Sequence, residues 1–103
     1  GSFNGTVDDG RGAVSVTVDP ARLGENTMHL YFFDQQQRPR QIDAVEVRVA
    51  VADVPARVID VEPVTQGHFV AASFTMPSRG VWTFSVVSVT RGEVAKFNIE
   101  VKV

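Results

Sequence analysis

The sequence predicts an all-β domain, an immunoglobulin-like antiparallel β-sandwich of about seven strands, and three observations predict it. Apolar residues make up 44% of the chain and fall mostly in short runs that alternate with period two. Gly, Pro, Asp and Asn separate those runs. No window long enough for a stable helix keeps a 3.6-residue apolar period free of Gly or Pro. Successive strand side chains point to opposite faces, so each run has one apolar and one polar face. Two sheets packed face to face bury the apolar sides.

In chain order, Gly1-Ser2 reads as a tag remnant, and the Gly- and Asp-rich remainder of residues 1–12 as a flexible lead-in. Residues 13–103 then form a single sandwich domain. The first expected strand is Ala13 to Val18, with Val14, Val16 and Val18 inward, followed by a turn from Asp19 to Asn26 in which Pro20 removes a donor and Gly24 permits positive φ. The second is Thr27 to Phe33: with Met28, Leu30 and Phe32 inward, His29, Tyr31 and Phe33 face out. A polar connection from Asp34 to Arg40 leads to the third, Asp43 to Val51, with its valines inward and Glu46 and Arg48 outward. Asp53-Val54-Pro55 reads as a break before a fourth run, Arg57 to Val61. Glu62 to Gly67 reads as a turn. The fifth strand is His68 to Met76, the sixth Val81 to Val89, and Arg91-Gly92-Glu93 a tight hairpin into the last, Val94 to Val103. Trp82, Phe84, Phe74, Phe32 and Phe97 are the expected aromatic core.

Composition narrows function by exclusion. With no cysteine, thiolate catalysis, disulfides and Cys-zinc centres are ruled out. The net charge is −2, and the densest basic group, Arg38-Pro39-Arg40, carries only two charges, so the basic stripe of a nucleic-acid binder is missing. The apolar stretches are far shorter than the ~20 residues of a spanning helix, so this fragment is not expected to insert into a membrane. An enzyme is not expected. Ser73, Ser85 and Ser88 lie inside strands without a nucleophile-elbow frame, and the carboxylates are scattered through turns and outer faces.

His29, His68, Met28 and Met76 are all of the chain's imidazoles and thioethers, donors that together suit the soft Cu(I) ion. Met28 and His29 are neighbours and point to opposite faces. His68 and Met76 lie eight residues apart along one strand, roughly 26 Å, too far to chelate together. A site therefore requires pairing across strands, such as His29 with His68, with Met76 as a further candidate ligand. The outward stripe His29, Tyr31 and Phe33 is the candidate partner-binding surface.

Several segments taken in order resemble a known family. They are Val18-Asp19-Pro20-Ala21-Arg22-Leu23-Gly24-Glu25-Asn26, with its Pro-x-x-x-Gly-x-Asn core, Met28-His29-Leu30-Tyr31, Ala44-Val45-Glu46-Val47, Gly67-His68-Phe69-Val70, and Pro77-Ser78-Arg79-Gly80-Val81-Trp82. Together they resemble the YtkA-like domain at the C-terminal, extracytoplasmic end of bacterial copper-transport membrane proteins of the CopD/YcnJ type. The likeness covers Ala13 to Val103. One departure stands out: where relatives have an Asp-x-x-Gly turn after the second strand, this chain has Asp34-Gln35-Gln36-Gln37.

The resemblance implies a non-enzymatic accessory domain on the periplasmic or extracellular face of a bacterial cell membrane. It would act in copper delivery or uptake through contacts with a membrane-embedded transporter region or another extracytoplasmic protein. Two alternatives stand beside it: a copper-binding module using His29 and His68 with Met ligands, and a generic immunoglobulin-like spacer or adhesion module. Copper is the one cofactor these readings invoke.

Overall fold

The computed structural model describes residues 1–103. The chain forms nine strands and no helix: β1 (Phe3–Asp8), β2 (Ala13–Asp19), β3 (Gly24–Phe33), β4 (Ala44–Val51), β5 (Val54–Ile59), β6 (Glu62–Thr65), β7 (His68–Met76), β8 (Val81–Thr90) and β9 (Glu93–Lys102). They make two antiparallel sheets, β1-β2-β3-β7-β6 and β5-β4-β8-β9. Without β1 and β5 the order is β2-β3-β7-β6 against β4-β8-β9, that of a seven-stranded immunoglobulin-type sandwich.

The inward faces carry the side chains that the alternation assigns to them. Val14, Val16 and Val18 of β2, Met28, Leu30 and Phe32 of β3, and Val47, Val49 and Val51 of β4 are buried, with Trp82, Phe84 and Val86 of β8 opposite. Phe74 meets Phe84 edge-on at 5.9 Å between ring centroids, and Phe32 meets Phe69 likewise at 5.8 Å. Phe97 is only half-buried and packs against this cluster from β9. The Arg91-Gly92 hairpin has both residues at positive φ, 52° and 78°, the backbone of a two-residue type I′ turn.

Two corrections bring seven strands to nine. Residues 3–8, expected as part of a flexible lead-in, form β1, hydrogen-bonded to β2 from Phe3↔Val18 to Asp8↔Ala13. The inward positions of β1 are Phe3, Gly5 and Val7, so the glycine interrupts its alternation. Gly5 leaves room for the Phe3 ring: a Cβ there would lie 2.8 Å from Phe3 Cζ. The second correction is β6, expected as a turn. All four of its residues are exposed, and Pro63 is tolerated because β6 is an edge strand paired only to β7. The fourth expected run also begins earlier, at Val54, because Ala52 at φ 47° turns the chain and Pro55 sits in the edge strand β5.

The Pro-x-x-x-Gly-x-Asn segment has a mechanical explanation. Asn26 is buried, and its Oδ1 accepts from the Ala21 and Arg22 amides at 2.8 and 3.3 Å. Its Nδ2 donates to the Arg22 and Gly24 carbonyls at 2.8 and 3.0 Å. One side chain thus satisfies the polar backbone of the β2–β3 connection. Asn26→Ala leaves those groups unpaired, and Asn26→Asp removes the two donors. We expect either variant to lose about 2–4 kcal/mol in urea unfolding, at the upper end of a multiply bonded buried polar group. In the Asp34–Gln37 turn, Gln37 adopts φ 64° and its amide donates to the Asp34 carbonyl at 3.0 Å. A glycine there, as in the Asp-x-x-Gly pattern, would adopt this conformation without strain.

Candidate functional site

The outer face of the five-stranded sheet brings the two histidines together. Tyr31 of β3 is paired directly with His68 of β7, and His29 with Val70, so His29 and His68 are diagonal neighbours on one face. His29 Nδ1 and His68 Nε2 are 3.0 Å apart, within hydrogen-bond reach with one ring donating and the other accepting. Tyr31 lies flat on His68, with centroids 4.1 Å apart and planes 14° from parallel. His29 is nearly parallel to both rings, 5.3 Å from His68 and 6.1 Å from Tyr31. Burial, and then the neighbouring His29, hold the His68 imidazole below the usual histidine pKa.

The strands of this sheet carry acidic but no basic residues. β1, β2, β3, β6 and β7 contain Asp8, Asp19, Glu25 and Glu62 but no Lys or Arg. Glu62 pairs with Val70, in the same cross-strand row as His29 and two strands from it, about 10 Å at the usual interstrand spacing. The other sheet carries Arg48, Arg57, Lys96 and Lys102 together with Glu46, Glu93 and Glu100 on its strands, and Arg57 donates to the Thr75 carbonyl of β7. No cluster of three or more His, Asp or Glu residues suited to a metal is present.

The remaining candidate residues lie elsewhere. Met76 is 1% exposed on the inner face, with Sδ 3.5 Å from Arg57 Nη2, and Met28 is in the core. Both thioethers therefore point away from the histidine pair. The phase change comes from β7: between the pairs Met28↔Ala71 and Asn26↔Phe74, β7 advances one residue more than β3. This bulge turns Phe74 and Met76 inward, although His68 and Val70 of the same strand face out. Of the stripe His29, Tyr31 and Phe33, Tyr31 is 36% exposed and the other two are half-buried. Phe33 stands beside Ala13 and bridges to Pro39, away from the imidazoles.

The pair suits a transition metal. Two ligands at about 2.0 Å from one ion are about 2.8–3.3 Å apart in adjacent positions and about 4 Å apart in opposite ones. The observed 3.0 Å, with ring centroids 5.3 Å apart, is the head-on approach of a hydrogen bond, and an ion at about 2.0 Å from both nitrogens would require the rings to swivel towards it. A metal would require both facing nitrogens as lone pairs, which puts the ring protons on His29 Nε2 and His68 Nδ1. A hydrolytic triad is a poorer fit, because His68 packs against a tyrosine and against the other histidine, with no orienting carboxylate.

The largest depression, about 450 Å³, contains Arg11, Arg40, Asp43, Arg91 and Glu93. Most of its charges are already engaged: Arg11 pairs with Glu93, Arg40 with Asp9, and the Asp43 carboxylate accepts from the Arg91 backbone amide. The chain matches no family model, no curated protein and no solved structure.

Proposed function

We propose that this chain is a non-enzymatic, extracytoplasmic accessory domain of a bacterial copper-transport membrane protein, and that it holds copper between His29 and His68. The observation that carries the reading is the 3.0 Å approach of two imidazole nitrogens across neighbouring strands. The acidic sheet around them favours a cation. The link to copper and to the outer side of the membrane rests on the resemblance to YtkA-like domains. In this reading Tyr31 and the half-buried Phe33 contact the membrane-embedded region that exchanges the metal.

The reading is tested by amide and imidazole NMR during titration with Cu(II), and separately with Cu(I) under reductant. Saturable one-to-one changes centred on His29, Tyr31 and His68 are expected with at least one oxidation state. His29→Ala or His68→Ala should weaken binding by more than the roughly 10–100-fold that loss of an outer-shell partner costs. A flat titration in both states would overturn the proposal.

A further inference from the structure

Resting on that reading, we infer that the histidine pair is selective for the oxidised ion: it is a two-imidazole site for Cu(II), not a Cu(I) site. Three independent features converge on this. The first is donor chemistry. Cu(I) is soft and favours thioether and thiolate, but there is no cysteine, and both methionines lie on the inner face of the sheet that carries the histidines outside. The donors in reach are imidazole nitrogens, with water or oxygen ligands left to complete the sphere, a set that suits a borderline divalent ion.

The second feature is placement. An ion held by two imidazoles alone, as two-coordinate Cu(I) would be here, needs its nitrogens on opposite sides, about 4 Å apart. Here both rings rise from one sheet face with their nitrogens in 3.0 Å hydrogen-bond contact, so an ion entering from solvent would take both from the same side, in adjacent positions, as the rings swivel towards it. The pairing of β3 with β7 sets the backbone beneath both rings, and the flat Tyr31 ring restrains His68 from swinging away. The third is charge. Asp8, Asp19, Glu25 and Glu62, with no basic residue on the same strands, attract a dication more strongly than a monocation.

Two measurements on the intact chain decide it. One is electron paramagnetic resonance with pulsed modulation during titration with Cu(II); the other is anaerobic competition for Cu(I) against a chromophoric chelator. We expect one equivalent of Cu(II) with a tetragonal signal modulated by two imidazole nitrogens. His29→Ala and His68→Ala should each leave one imidazole or none. We also expect Cu(I) to be surrendered to the chelator. Cu(I) retained while Cu(II) gives no two-imidazole signal would overturn the selectivity and leave the copper-binding proposal standing. Binding of neither ion would overturn both. A Cu(II) signal unchanged in the double variant would place the ion elsewhere and likewise overturn the inference.

Discussion

Asp9→Ala is expected to destabilise the domain by about 3–5 kcal/mol, the range for removing one partner of a buried ion pair. The Asp9 side chain is 1% exposed and that of Arg40 12%, with Arg40 Nη2 2.5 Å from Asp9 Oδ2 and Nη1 3.2 Å from Oδ1. The guanidinium also lies 5.5 Å from the centre of the Phe32 ring, and its Nε is buried without a partner. Without Asp9 the cation would remain desolvated beside an apolar ring. The loss is a large share of the 5–15 kcal/mol typical of a domain. In Asp9→Leu/Arg40→Met both charges disappear, so most of the loss should be recovered. Urea unfolding of Asp9→Ala and of the double variant measures this directly. A single-variant loss below about 1 kcal/mol would show the pair to be effectively solvated.

The same pair sets part of the acid response. Burial alone would raise the Asp9 carboxyl, but hydrogen bonds from the Arg40 side chain and the Arg11 amide, with the Arg40 charge, outweigh it and hold the pKa below the usual aspartate value. The folded state therefore binds the Asp9 proton less readily than the unfolded state. Its contribution is fully present above the ordinary aspartate pKa and is lost as pH falls through that value towards the lower folded one. Wild type should lose stability in this window, and Asp9→Ala should show a shallower acid limb.

Trp82→Ala is expected to cost about 3–5 kcal/mol through lost burial and an unfilled cavity. Trp82 is wholly buried on β8, paired with Val51 on one side and Val101 on the other, so it ties three strands of one sheet together. Its indole Nε1 donates to the Ser78 carbonyl at 2.9 Å, so the connection from β7 also rests on it. Trp82→Phe keeps the ring packing and loses the donor, for a smaller expected loss of about 1–3 kcal/mol. In thermal unfolding the alanine variant should melt more than about 10 °C below wild type. A shift of only a few degrees would mean that the core collapses around the vacancy.

The alternation of Val14, Val16 and Val18, of Met28, Leu30 and Phe32, and of Val47, Val49 and Val51 was enough to place the inner faces, because period two and burial are local consequences of strand geometry. It failed for β1, where the inward series contains Gly5, and for β6, where every side chain is exposed. An edge strand can be held by backbone hydrogen bonds to its neighbour and then leaves little hydrophobic signal. The candidate site was legible in the same partial way. His29 and His68 stood out as the chain's two imidazoles, but their meeting depends on a register between segments 39 residues apart.

The sequence by itself thus determined the fold class, the two-faced strands and the inventory of donors, all of which follow from residue type and neighbours along the chain. Tertiary structure alone decided which donors meet. The β3–β7 register sets Tyr31 against His68 and places His29 diagonally beside it, and the β7 bulge turns Met76 into the core. One residue of slip on either strand would carry a ring to the opposite face, so the pair exists only through long-range strand pairing.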